Sequence, residues 1–553
     1  MASLPVNTTS VAPQRSTKSK YDSCDLSGSV FIISSDGKIL NLPIPTKSAQ
    51  DPLNWSKWKQ ARAFLALLIF TISADVLIQG PTYLTYVMRS EFHMENPTFF
   101  RVENIISVPK LFMGIGALIW IPLSLAVGRR PVFLLCTVIL FLSSLLASLI
   151  TNFAQLLVAS CFMGLVQGLS SSMASYHATN HTALLMVIDI TFIHQRPQAI
   201  AMIWCGVGAI TATLLALIPR LVPKGSGEST WRLFYSSWAI ASLLSVVLAF
   251  FFYPETYFVR PPVAFNGRVL IQSATEKVHV YEDWEEVPDG KALPETPNQS
   301  PWAGNLKFWG LTRGGWRAMR ICYSQVLGCL LNPLIFWVAI LNALVFTSML
   351  SIKETYTDIL INPRYKLSSD AFALIHMAGA IGCLIAWPVS GFMVSFVSCR
   401  LAKRNLGVRD AEHYLPAFIL PILTGTANII IYGVAVENRW HYMWIYFAYG
   451  LNSFTLVSLA TANTLWVTEA FPRWAAPALA GISSVSNMTS FGISFAIPPW
   501  IRSQGHANAD IEIGVLIAVV GCIAIPIAFW GKKMRQQIHD KWGMSEMGAL
   551  RPQ

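Results

Sequence analysis

Charge is what this chain has least of. Asp, Glu, Lys and Arg make up 12% of its 553 residues, against about 25% in a soluble domain. That shortage excludes an ordinary water-soluble fold. Acidic residues are scarcer still, 29 against 40 basic ones, for a net charge of +11. In a chain that is 54% hydrophobic, this surplus reads as cationic loops against anionic lipid, and no nucleic-acid partner is expected. Nine cysteines lie scattered with no Cys-x-x-Cys, which argues against a disulfide framework or a zinc site. They read as small apolar fillers. No phosphate-binding GxxxxGK[ST] loop is present, nor HExxH or GxSxG, so neither an ATP-driven pump nor a hydrolase is written here. No enzyme activity, cofactor or metal is expected. His177 and His181 have helical metal-pair spacing but lack a third ligand at a telling distance. The first 59 residues lack the early apolar core of a cleavable signal and read as a mobile cytosolic tail.

What the chain has is long apolar runs. A bilayer crossing needs roughly 20 apolar residues. Such runs predict spans near 62–84, 104–126, 132–150, 154–178, 198–219, 232–253, 327–350, 371–395, 415–435, 441–465, 477–500 and 511–531. The expected fold is an all-α polytopic membrane protein with twelve transmembrane helices. An even number of spans puts both chain ends on one side. The tight turn Gly128-Arg129-Arg130-Pro131 joins the second and third spans. Short loops rich in Lys and Arg stay cytosolic. Lys57, Lys59 and Arg62, then Arg313, Arg317 and Arg320, then Lys532, Lys533 and Arg535 flank spans on the same side. The long connection 254–326 splits the spans six and six, and its basic end around Trp316 and Met319 reads as an interfacial amphipathic helix. The resulting division is a tail at 1–59, a six-helix bundle at 60–253, a cytosolic loop at 254–326, a second bundle at 327–531 and a tail at 532–553. Two pseudo-symmetric bundles leave room for a midplane cavity between them.

Asp75 is the sharpest candidate within the spans. No other charge lies between Arg62 and Arg89. A charge at bilayer depth costs a few kcal/mol on insertion scales, which favours a place beside a cavity, a partner or a substrate. Asp75 could bind a cationic solute or exchange a proton, or it could hold a helix contact. Gln79 follows on the same helical face. Lys110 could snorkel to the outer interface or pair with Asp75. Gln167 heads a polar stripe in the fourth span, while Asn452 and Asn463, then Ser486 and Asn487, mark the tenth and eleventh. Such groups line cavities or bind helices together. Tyr83, Trp204, Asn342 and Phe346 are further wall candidates, since aromatic rings suit an amine. His376 and Glu354 could relay protons or serve as satisfied polar contacts.

GRRPV (128–132), DPLNW (51–55), FIHQR (192–196), YPETYFVRPP (253–262), RLAKRNLG (400–407), EAFP (469–472) and SFGIS (490–494) together resemble the major facilitator superfamily. Within it they resemble the fungal twelve-span drug:proton antiporter branch, nearest its polyamine and histidinol permease-like group. Three positions depart from the branch pattern. Leu125 stands where an acid is usual before the hairpin glycine, Ser160 replaces an arginine in the fourth span, and Gly206–Ala209 only echoes the fifth-span signature. The resemblance implies two bundles rocking around a central site, and gating by Arg129 and Arg130 at the inner end. Asp189 with Arg196, and Glu469 with Arg473, are expected as gate pairs. The function expected is proton-coupled export of a small cationic or amphipathic solute. Uptake of polyamines or amino-acid-like amines is the alternative, and a non-transporting sensor is a reading of another class. Solute, protons and the lipid bilayer are the expected partners of a monomer, in the plasma membrane or else the vacuolar membrane.

Overall fold

A segment in hydrocarbon must satisfy its own backbone hydrogen bonds, and the apolar runs of this chain do so as helices. The computed structural model describes residues 29–31, 55–84, 88, 91–92, 104–170, 195–221, 230–256, 263–265, 268–272, 278–281, 312, 315–361, 365, 367, 371, 373–405, 408–471 and 474–542. The first half holds α1 (Lys57–Gln79, extended by a 3-10 turn, Gly80–Tyr83), α2 (Asn104–Val127), α3 (Arg129–Leu149), α4 (Phe153–Ser170), α5 (Arg196–Leu221) and α6 (Thr230–Phe252). After α7 (Gly315–Leu331) come α8 (Pro333–Ile361) and α9 (Ile375–Ala386), which runs through a π-helical turn into α10 (Met393–Arg404). A 3-10 turn (Ala411–Phe418) leads into α11 (Ile419–Glu437), followed by α12 (Tyr442–Ala470), α13 (Ala475–Cys522) and α14 (Ala524–Trp542).

Ten of the described helices are long and apolar enough to cross a membrane. The stretch Ala475–Ile538 counts once among them but bends at Gly505, whose φ of +84° no ordinary helix residue adopts. The Glu437 carboxylate accepts the His506 N–H there at 3.1 Å. The bend makes two spans of one, and α4 is described only over its first part. The architecture is therefore the expected twelve-helix, two-bundle membrane fold. Large apolar side chains face outward, as a lipid-facing surface requires: Ile240 is 72% and Phe529 79% exposed.

Local chemistry sets several boundaries. Ser56 caps α1 by accepting the Lys59 N–H at 3.3 Å. Gly128 takes a φ of +103° in the hairpin turn, and the Glu255 carboxylate accepts the N–H groups of Arg129 and Arg130 at 3.2 and 3.1 Å. These are the orphan donors at the start of α3. The seventh span departs from the hydropathy reading. It runs Pro333–Ile361 rather than 327–350, because Asn332 accepts the Leu334 N–H at 3.0 Å and Pro333 suits the first helical position. The preceding basic segment is the separate helix α7, with Trp316 48% exposed.

Described residues of the tail expected to move freely are held in place by backbone pairing. β1 (Ser29–Phe31) pairs antiparallel with β5 (Val408–Asp410), Val30 lying opposite Arg409. The same loop is held from the other end of the chain, Lys532 reaching Asp410 at 3.2 Å and Arg535 reaching Glu412 at 2.9 Å. In the middle connection β2 (Val263–Phe265), β3 (Arg268–Gln272) and β4 (Val278–Tyr281) form a meander.

The face with the start of α1, the Gly128 turn and the start of α5 is termed the basic face. The face with Tyr83 and Ile361 is the far face. The two halves meet where α2 packs on α13 and α5 on α9. Within the first half, α2 and α4 cross so closely that a Cβ on Gly168 would lie 2.6 Å from the Gly116 Cα. Small residues at such crossings allow backbones to touch.

Candidate functional site

Asp75, Gln79 and Tyr83 recur every fourth residue towards the far end of α1, so they share one face. That face turns to the seam between the halves. Asp75 is fully buried, and Gln167 of α4 donates its side-chain amide to Asp75 Oδ1. A turn further on, Lys353 of α8 donates to Gln79 Oε1 at 3.1 Å, crossing from the second half. Lys353 also lies within electrostatic reach of Asp75 and of Lys110. Lys110 of α2 stands 3.6 Å from the Glu354 carboxylate. The snorkelling expected of Lys110 does not occur. It is 4% exposed, because a carboxylate across the seam meets its ammonium group before the interface does.

Aromatic groups cover this cluster on the far side. The Tyr83 hydroxyl lies 3.4 Å from that of Tyr356, and the Tyr83 ring meets His376 edge-on at 5.5 Å. The buried His376 holds Tyr449 at Nδ1 (2.9 Å) and Tyr356 at Nε2 (3.4 Å). Of these four residues Tyr83 alone belongs to the first half, so these contacts also span the seam.

A second cross-half contact lies towards the basic face. Arg196 at the start of α5 donates to Glu469 Oε1 at 3.1 Å, and Arg409 holds Glu469 Oε2 at 2.7 Å. Arg409 further donates to the Tyr414 hydroxyl. Arg196 and Glu469, placed by sequence in separate gate pairs, thus pair with each other. Asp189 and Arg473, their expected partners, lie outside the described residues, as do His177 and His181. Arg129 and Arg130 sit within the first half, where the Arg130 guanidinium donates to the Phe250 carbonyl at 2.9 Å. Nearby, the Thr312 hydroxyl donates to the Leu125 carbonyl at 2.7 Å, tying the start of α7 to the end of α2.

The remaining candidates fall elsewhere. Asn342 donates to Ser486 at 2.7 Å and accepts from Asn463 at 3.0 Å, joining α8, α12 and α13. Asn452 reaches Asn428 and Ser348 at 3.3 and 3.4 Å, and Asn487 donates to the Ser483 carbonyl at 3.0 Å. Asn342, Asn452 and Asn463 hold the second half together rather than joining the Asp75 cluster, whereas Asn487 bonds within its own helix and lies against Gly114 of α2. Trp204 is 1% exposed within the apolar core.

Hydropathy misses Lys353, because it ends a span at the first charge after an apolar run. It also misses Asp510, a fully buried acid that accepts the Ser351 hydroxyl at 2.6 Å. Arg409 gives no signal, lying in a loop sixty residues from its partner Glu469.

The chain is 21% identical to an uncharacterised MFS-type transporter of Schizosaccharomyces pombe, over 91% of this chain and 89% of that one. It is 22% identical to the efflux pump radE of Floropilus chiversii, over 88% and 82%. Among solved structures, the proton:xylose symporter XylE superposes with a TM-score of 0.54 at 13% identity, over 86% of this chain and 94% of that one. The family model described as Major Facilitator Superfamily matches residues 65–488, and the chain belongs to that family of membrane transporters.

Proposed function

We propose that this protein is a secondary transporter that moves a small organic solute by alternating access and couples the movement to protons. The observation that carries the reading is the distribution, at two depths, of charged side chains that make contacts across the seam. Lys110–Glu354 and Lys353–Gln79 lie on one side of the midplane, and Arg196–Glu469 on the other. Contacts that form between halves in one state and part in another are two-state elements, and a rocking transporter needs one set at each end. In this reading the basic face is cytosolic, and Asp75, Gln79, Tyr83, Lys110 and Gln167 form the solute and proton site. Arg196 and Glu469 close the cytosolic gate, while Arg129 and Arg130 brace the first bundle beside it.

Export is the favoured direction, supported by the name of the relative radE, an efflux pump. Proton coupling is supported by the buried carboxylate of Asp75 and by the likeness to XylE, which is named a proton:xylose symporter. The plasma membrane is the proposed location. The test is a solute panel offered to proteoliposomes under pH gradients of either sign. Flux of at least one solute that reverses with the gradient is expected. Binding without flux or counterflow would mark a sensor instead.

A further inference from the structure

Among the described residues, four charged side chains share the far part of the seam, and their signs cancel. Asp75 and Lys110 come from the first half, Lys353 and Glu354 from the second, so each half presents one charge of each sign. Lys110 meets Glu354 at 3.6 Å. Lys353 binds Gln79 at 3.1 Å and lies within the electrostatic field of Asp75. Asp75 and Lys110 are 0% and 4% exposed, while Lys353 and Glu354 are half-buried, so water screens the first two little and the other two in part.

A solute carrying only an ammonium group would gain Asp75 and Glu354 but face both lysines. One carrying only a carboxylate would gain the lysines and face both acids. Either leaves a like charge opposed at a largely desolvated site, which is the costly arrangement. A solute with both groups gives each of the four charges an opposite partner and leaves the total unchanged.

We infer that the site takes a zwitterionic, amino-acid-like solute. Its ammonium group faces Asp75 and Glu354, and its anionic group faces Lys353 and Lys110. The inference rests on the transport reading above and narrows its substrate class. It also gives binding a mechanical consequence. The solute replaces the Lys110–Glu354 and Lys353–Gln79 contacts, so the far seam is released as the site fills.

The test uses the full-length protein in nanodiscs and follows thermal stabilisation, which reports binding to the folded state. The probes are the common L-amino acids, each compared with its decarboxylated amine and its deaminated acid. At least one amino acid is expected to bind about tenfold more tightly than both of its derivatives. Lys353→Met should then raise the affinity of the amine relative to the amino acid, and Glu354→Gln that of the acid. If no amino acid outranks its own amine and acid, or if the variants leave the ranking unchanged, the inference falls and the four charges are a gate clasp only. That result leaves transport intact, because gradient-driven flux in the solute panel is read separately. Absence of flux for every solute would instead remove the transport reading.

Discussion

Arg196 and Glu469 meet at 3.1 Å from opposite halves of the chain, with side chains only 2% and 3% exposed. Glu469 carries a second guanidinium, Arg409, at 2.7 Å. Removing the one carboxylate takes the shared anion from two buried guanidinium groups. Breaking a buried pair this way costs about 3–5 kcal/mol. Glu469→Gln should therefore lower the thermal stability of the purified protein by that order. A cysteine at Ala201, which faces Gly391 across the halves, should label faster in the same background. An unchanged melting curve with unchanged labelling would show that the pair bears no load.

Asp75→Asn keeps the side chain's size and its capacity to accept from Gln167, while removing the exchangeable proton. Proton-driven flux should fall by about 100-fold or more, within the range a positioned acid or base contributes. The amount of protein in the membrane should stay the same. Normal driven flux in this variant would take Asp75 out of the mechanism.

The contacts to His376 differ enough in length to be ranked. Tyr449 holds Nδ1 at 2.9 Å, whereas the Tyr356 hydroxyl lies 3.4 Å from His376 and from Tyr83. A good hydrogen bond contributes about 0.5–1.5 kcal/mol net and weakens with length. Tyr449→Phe should destabilise more than Tyr356→Phe in paired thermal melts. The reverse order would mean that the tyrosines act chiefly through their rings.

Two glycines should answer oppositely to the same change. A Cβ on Gly168 would lie 2.6 Å from the Gly116 Cα, whereas one on Gly206 meets nothing within 4 Å. Gly168→Ala forces α2 and α4 apart, at about 1–3 kcal/mol. Gly206→Ala gains helix propensity of about 1 kcal/mol. Melting temperature should drop for the first and hold or rise for the second.

The helical architecture is readable in the sequence because lipid imposes a crude rule of length and apolarity. Asp75 stands out for the same reason, as a charge inside a run that otherwise has none. Lys353 and Glu354 do not, since hydropathy ends a span where charge begins. The α8 helix continues to Ile361 because its polar residues find partners across the seam, and no local pattern encodes those partners. Asn332-Pro333 is legible as a cap and first turn, yet the apolar residues before it, from Val326 to Leu331, outweigh that signal in a hydropathy reading. Asp510 falls between two predicted spans, because the bend at Gly505 spares the chain the loop that hydropathy assumes. Pairing Arg196 with Glu469 requires knowing which inner ends meet, which is a property of the assembled halves.

Residues 29–31 and helix α14 converge on one short loop. β1 adds its backbone to residues 408–410, and Lys532 and Arg535 grip Asp410 and Glu412 from the carboxyl side. Arg409 in that loop also grips Glu469 at the seam. A truncation that removes residues 29–31, or Lys532 and Arg535, therefore acts first on this loop and through it on the seam carboxylate. Chains shortened past either of these contacts should accordingly be compared with the full chain for flux.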